Sequence, residues 1–182
     1  FLNYSNSSIE SQILYHPLNN LNTEMNASSS LLKRNNIVFL SYNISFIPAT
    51  IDKNSDYTNM SRLKHFIASL DNYDIVCLQS VSSSFSNYKS EIMEEAAKKG
   101  FFFSVESSSP GTFSSFVYEA GLMILSRFPI KKQAYIRFPN SILNDGVTEK
   151  GILYAKIKIK HEFIHVVNVV LQSNENIFEI KE

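Results

Sequence analysis

Two polar residues directly follow apolar segments, at positions where α/β proteins commonly carry their chemistry. Asn43 follows the segment IVFLSY at 37–42, and Ser80 follows DIVCLQ at 74–79. Ligands of such proteins bind at the ends of the strands. An asparagine amide can hold a metal ion or a phosphate oxygen, whereas a serine hydroxyl attacks a substrate only beside a base and an oxyanion site. Nothing in the sequence supplies that base, so a serine nucleophile is not favoured.

The composition is that of one globular domain without an electrostatic bias. The chain has 182 residues, and 17 Lys and Arg side chains balance 17 Asp and Glu side chains. Binding to phosphates by counterion release needs a basic surplus, and the only local one is KIKIK at 156–160. We therefore expect no nucleic-acid partner. The single cysteine, Cys77, cannot form an internal disulfide and is expected to be a buried thiol.

The localisation cannot be read from this sequence. No apolar run approaches the ~20 residues of a membrane helix, and the first residues, FLNYSNSSIE, lack the layout of a signal peptide. Because the chain begins at Phe1 rather than at methionine, the missing signal is not informative. We expect residues 1–35, rich in Asn and Ser, to form an irregular leader, and residues 36–182 to form the domain.

The first part of the domain is predicted to be a β-α-β unit. The segment 37–42 is typical of a buried strand and 74–79 of a second one. Between them, apolar residues recur at helical spacing behind Ser61, which we expect to cap the first turn. They are Leu63, Phe66, Ile67 and Leu70. The crossover connection predicts parallel strands.

The remainder is predicted to contain one more helix and then antiparallel strands. The helix runs from about Phe85 to Lys99, places Phe85, Tyr88, Ile92 and Ala96 on one face, and stops at Gly100. Alternation along 151–160 places the lysines of KIKIK on a solvent-facing side. The predicted strands are 101–105, 120–126, 133–138, 151–160 and 162–172. The fold class is therefore mixed α/β.

Four segments in a fixed order resemble a known superfamily. They are LSYN at 40–43, YDIVCLQS at 73–80, GLMILSRFPI at 121–130, and KGILYAKI followed by IHVVNVVLQS within 150–173. Together they resemble the first half of the endonuclease/exonuclease/phosphatase superfamily, which has the DNase-I-like fold. The spacing of Asp145 and Lys150, followed by Gly151, is similar to that of its neutral sphingomyelinase branch.

The resemblance implies a partial sandwich of two mixed sheets with helices outside, and a metal-dependent phosphodiesterase. In that family a strand-end asparagine and a strand-end glutamate hold Mg²⁺, while Asp and His side chains handle protons and water. A hard cation prefers anionic oxygen, stabilises charge in the transition state and acidifies bound water. The resemblance also implies a phospholipid substrate, sphingomyelin, on a membrane surface.

The site residues can be carried over position by position, and two of them depart from the family pattern. Asn43 matches the asparagine beside metal and phosphate, although closing a turn after the first strand is the alternative. Ser80 stands where the family has its metal-binding glutamate, so Mg²⁺ would lose its main anionic ligand. Val170 stands where the family has a histidine, and valine can neither donate nor accept a proton.

Asp145 and Lys150 match positions near the phosphate in the sphingomyelinase branch. The alternative is structural, because Asn144-Asp145-Gly146 is a turn signal and Lys150-Gly151 could simply open the next strand. None of the four histidines has a spacing that suggests a replacement for the lost one. They are His16, His65, His161 and His165.

The resemblance stops near residue 173, before the Asp and His pairs that the family supplies from its second half. We therefore expect an open apolar sheet face. The leading hypothesis is a catalytically inactive sphingomyelinase-like domain fragment in which Mg²⁺ binding is weakened. Two alternatives remain: an interaction module that binds a protein partner through the open face or through KIKIK, and an active nuclease or phosphatase of the same fold.

Overall fold

The structure is a computed structural model and describes residues 36–46, 55–81, 87–108, 119–138 and 149–171. The predicted leader at 1–35 therefore lies outside the described residues. Within them, strands and helices alternate first, and strands follow in succession, as the sequence predicts. No helix in these ranges is long and apolar enough to cross a membrane.

The first sheet is mixed and contains four strands in the order β1-β2-β4-β3. Strands β1 and β2 are parallel, with Asn43 opposite Gln79, so the predicted β-α-β unit is confirmed. Strand β4 runs antiparallel to both β2 and β3. The bounds are β1 Phe39–Asn43, β2 Ile75–Gln79, β3 Phe103–Glu106 and β4 Met123–Ser126.

Two helices accompany the first sheet, α1 at Ser55–Ser69 and α2 at Tyr88–Lys98. A 3-10 turn, Leu70–Asn72, follows α1. The buried faces agree with the predicted periodicity, since Leu63 and Leu70 are fully buried and Tyr88, Ile92 and Ala96 lie inside. The prediction that Ser61 caps the first helix is wrong. Helix α1 begins six residues earlier, and Ser61 is an exposed residue in its interior.

The second helix ends as predicted but starts later than expected. Asn87 precedes its first residue, and Phe85 lies outside the described residues. Gly100, at φ 90°, adopts the left-handed conformation that ends helices, and its N–H donates to the carbonyl of Ala97. Arg127 then ties both helix ends to the sheet. Its guanidinium donates to the carbonyls of Leu70, Tyr73 and Lys99.

The second sheet contains three antiparallel strands in the order β5-β6-β7. Within the described residues, consecutive strands of this sheet are joined as neighbours and are therefore antiparallel. Alternation along β6 is as predicted, with the lysines on the outer side and Leu153, Ala155, Ile157 and Ile159 buried. The bounds are β5 Ile130–Arg137, β6 Gly151–Ile159 and β7 Glu162–Val170.

The buried apolar side chains form two layers on either side of the first sheet. One layer joins α1 and α2 to the first sheet, through residues such as Leu63, Ile92 and Leu125. The other joins the two sheets, through residues such as Ile124 and Ile157. These layers produce the order helices, first sheet, second sheet.

Cys77 lies in the layer between the two sheets and is 7% exposed. Burial raises the pKa of its thiol to about 11, because the thiolate would lose its hydration there. The expected burial of this thiol is confirmed.

The burial expected of the first strand is wrong. In β1, Phe39 is 50% exposed and Tyr42 is 37% exposed. The strand lies at the edge of the first sheet and has a hydrogen-bonded neighbour on one side only among the described residues. An apolar segment predicts a strand that prefers burial, whereas its place in the sheet decides whether other elements cover it.

Candidate functional site

The residues predicted from the strand ends lie next to one another. Asn43 ends β1 and lies opposite Gln79, the last residue of the parallel strand β2. The chain continues beside β2 beyond the regular sheet, because Ile44 N–H donates to the Gln79 carbonyl and Phe46 N–H donates to the Ser80 carbonyl, both at 3.1 Å. The ends of β1 and β2 therefore form one edge that presents Asn43 and Ser80 together.

The side chain of Asn43 closes a local turn. Its Oδ1 accepts a hydrogen bond of 3.1 Å from the N–H of Ser45, a residue that has a φ of 50°. Asparagine favours this type of turn because its short amide can satisfy a backbone group two residues further on. Asn43 therefore closes a turn after the first strand, which is the alternative to a role beside metal and phosphate.

Ser80 has a left-handed backbone conformation at the end of β2. Its φ is 59°, which is rare for a residue with a Cβ atom. The next residue, Val81, donates its N–H to the Gly121 carbonyl at 2.9 Å. Gly121 also has a positive φ, 60°, and a Cβ there would lie 2.7 Å from Val81 N. The close approach of these two loops fixes the direction of the chain at Ser80.

We expect Ser80→Gly to stabilise the protein. The left-handed conformation costs a non-glycine residue ~1–2 kcal/mol, and the greater freedom of glycine in the unfolded chain offsets ~0.5–1 kcal/mol of that gain. The free energy of unfolding should therefore rise by up to ~1 kcal/mol in urea titrations followed by circular dichroism. Ser41→Gly, in the extended part of β1, is the matched control and should destabilise. A loss in both variants would contradict the strain assigned to Ser80.

A buried asparagine joins the two sheets immediately below this edge. Asn168, on β7, is 2% exposed. Its Nδ2 donates to the carbonyls of Leu78 at 2.7 Å and Met123 at 3.0 Å, and its Oδ1 accepts from Gln79 Nε2 at 2.6 Å. One side chain thereby connects β7 with β2 and β4. The motif NVVLQS contains Asn168, but nothing in the sequence assigns it this contact.

Val170 and Lys150 lie at the same end of the second sheet. Val170 pairs with Gly151 across β6 and β7, and Lys150 directly precedes Gly151. A Cβ on Gly151 would lie 2.5 Å from the Ile136 carbonyl, so glycine is required by the close approach of β5. Because Asn168 holds the end of β7 against β2, the structure gathers Asn43, Ser80, Lys150 and Val170 at one end of the two-sheet sandwich.

A buried carboxylate network supports the start of β6. Glu149 is fully buried, with Oε2 2.7 Å from Arg137 Nε and Oε1 accepting a hydrogen bond from the Tyr135 hydroxyl. Burial, together with this hydrogen bond to Glu149, raises the pKa of Tyr135 well above its ordinary value. The Lys150 carbonyl accepts from Phe138 N–H at 2.9 Å. These contacts fix the backbone of Lys150 immediately before β6 begins.

The remaining predicted residues take no part in the described site. Asp145 lies outside the described residues, as does His16. His65 is on α1 with Nδ1 2.7 Å from the Ser61 carbonyl oxygen, and His165 is on β7 with Nδ1 2.8 Å from the Tyr154 hydroxyl oxygen. His161 lies in the turn between β6 and β7.

The described residues at this edge do not match the ligand set of a Mg²⁺ site. Mg²⁺ prefers anionic and neutral oxygen ligands in octahedral geometry. Here Ser80 is neutral, Asn43 Oδ1 offers a single neutral oxygen that also accepts from Ser45, and Glu149 is held by Tyr135 and Arg137. In the described part of the chain, no three His, Cys, Asp or Glu side chains are grouped so that they could hold a metal ion.

A buried lysine lies between two carboxylates near the same end of the first sheet. Lys89 Nζ, on α2, lies 2.5 Å from Glu119 Oε2 and 3.1 Å from Glu106 Oε2. The side chains of Lys89 and Glu119 are 8% and 1% exposed. Glu106 ends β3 opposite Met123, the first residue of β4. No sequence signal marks this cluster, because its members come from three separate segments.

Comparison with known proteins identifies sphingomyelinases among the relatives. A sphingomyelinase of Dictyostelium discoideum is 30% identical over 132 residues, 68% of this chain and 28% of the relative. Sphingomyelinase C of Bacillus cereus is 25% identical over 162 residues, 85% of this chain and 49% of the relative. The chain thus spans about half or less of the length of these curated relatives. No model of a known protein family matches it.

Solved structures share the same fold. The crystal structure of SmcL superposes with a TM-score of 0.67 and 16% identity, covering 80% of this chain and 51% of that one. A beta toxin variant from Staphylococcus aureus with bound magnesium ions gives a TM-score of 0.60 and 22% identity, covering 75% and 50%.

A third solved structure has a similar fold. An endonuclease/exonuclease/phosphatase family protein from Leptotrichia buccalis gives a TM-score of 0.53 at 15% identity, covering 75% of this chain and 54% of that one. The mixed α/β fold predicted from the sequence, with its two sheets, is confirmed by this agreement. Sequence relatives and structural neighbours agree, and the chain is a homologue of these sphingomyelinases that shares its fold with SmcL, with beta toxin and with the endonuclease/exonuclease/phosphatase family protein.

Proposed function

We propose that this chain is a sphingomyelinase-type phosphodiesterase region that does not catalyse hydrolysis as it stands. The relatives named as sphingomyelinases support a phosphodiester of the sphingomyelin class as the ancestral substrate. Magnesium in the structure of the related beta toxin supports Mg²⁺ as the family's cofactor. Inactivity is inferred from the residues at the strand ends of this chain.

One observation supports the proposal: the strands around Ser80 and Val170 are packed together, whereas these two residues supply neither a carboxylate nor a group that can donate or accept a proton. Asn168 joins β7 to β2 and β4, and it does so directly below Ser80 and Val170. A divalent cation at Ser80 would lack the carboxylate that balances its charge. A substrate at Val170 would find neither a donor nor an acceptor. Because each 1.36 kcal/mol of lost transition-state stabilisation is about tenfold in rate, two such losses remove catalysis of useful magnitude.

We expect no Mg²⁺-dependent hydrolysis of sphingomyelin in mixed detergent micelles, nor of bis(p-nitrophenyl) phosphate, above a blank without protein. A rate that rises with Mg²⁺ and with protein concentration would overturn the proposal. Ser80→Ala is the matched variant. If the unmodified chain hydrolyses a substrate and Ser80→Ala does not, the serine would instead be a nucleophile.

Binding of Mg²⁺ tests the same proposal without relying on turnover. Isothermal titration calorimetry should give no Mg²⁺ binding in the unmodified chain at millimolar concentrations, and measurable binding in Ser80→Glu with Val170→His. Ser80→Gln with Val170→His has the same bulk but no carboxylate, and should not bind. Equal binding by the Glu and Gln variants would show that this edge is not the cation position.

The interaction module remains the second candidate, because several large apolar side chains of the second sheet are exposed. This observation favours a role as a scaffold that binds another macromolecule. An active nuclease or phosphatase is a weaker candidate, since it would face the same two substitutions and a chain with equal numbers of acidic and basic side chains.

A further inference from the structure

We draw no further inference here: the strongest candidate, the patch of exposed apolar side chains on the side of the second sheet turned away from the first sheet, carries nothing, because the chain spans about half or less of the length of its relatives and nothing in the structure shows what covers that side.

Discussion

Lys89→Met is expected to lower the free energy of unfolding by about 3–5 kcal/mol, because it leaves a buried carboxylate without its cation. The ammonium of Lys89 lies 2.5 Å from Glu119 and 3.1 Å from Glu106. The Glu119 side chain is 1% exposed and cannot recover its lost partner from water, whereas Glu106 is 25% exposed and can be partly rehydrated. Equilibrium urea unfolding measures the loss.

A second substitution separates the charge from the packing. Adding Glu119→Leu to Lys89→Met removes the buried carboxylate that has lost its cation, and it should restore most of the lost stability. The control is Lys98→Ala, which removes a solvent-exposed ion pair with Glu95 on the same helix and should leave the urea midpoint nearly unchanged. If Lys89→Met behaved like Lys98→Ala, the buried cluster would have no role in stability.

Asn168→Leu is expected to cost about 2–4 kcal/mol, since each buried polar group left without its partner costs about 1–3 kcal/mol. The variant would leave Leu78 and Met123 carbonyls and the Gln79 amide without the bonds they now make to Asn168. The side-chain volume at position 168 is almost conserved in Asn168→Leu. The decrease in the free energy of unfolding would therefore report the lost hydrogen bonds rather than a cavity. Urea unfolding again gives the free energy.

The contact of Asn168 also makes a structural prediction. In Asn168→Leu, amide hydrogen exchange at Val81 and at the ends of β2 and β7 should accelerate more than exchange in α2. Ser41→Ala is the matched control, because it removes a 3.2 Å exposed hydrogen bond from the same Gln79 amide and should have little effect. Equal effects of the two variants would show that Asn168 does not hold the sheets together.

The spacing of apolar residues predicted most helices and strands, because this spacing depends on which face of each helix or strand is buried. Tyr88, Ile92 and Ala96 recur at helical spacing and lie inside α2, and the alternation of 151–159 matches the observed strand. The start of α1 was not predictable from this signal. Its first turns lie N-terminal to the regular apolar spacing, and Ser61 resembles a cap only in isolation.

The exposure of β1 is a second feature that the spacing of apolar residues did not predict. A run of apolar residues predicts a strand, but it does not say whether the strand is at the centre or at the edge of its sheet. Phe39 and Tyr42 are exposed because β1 has β2 on one side only among the described residues. Among the described residues, large apolar side chains of β1 and of the second sheet are exposed.

Some features of the candidate site also follow from local sequence, whereas others depend on the folded structure. The strand ends that present Asn43 and Ser80 follow from local sequence, since parallel strands joined by a helix end at one edge. The Asn168 bridge joins residues 89 and 90 positions apart in the chain, and Lys89 meets Glu119 across 30 positions. Such contacts leave no periodic trace in the sequence, so only the folded arrangement reveals them.

By itself, the sequence determined the mixed α/β fold, the family resemblance and the chemical character of the site, because side-chain type and local spacing fix these. Serine at position 80 and valine at position 170 are neutral in any fold. Only the tertiary structure decided that Asn43 closes a turn, that Asn168 holds the strand ends together and that the lysines of β6 lie on the same side of their sheet as exposed apolar residues. These depend on which distant segments pack against each other, and packing is a property of the whole chain.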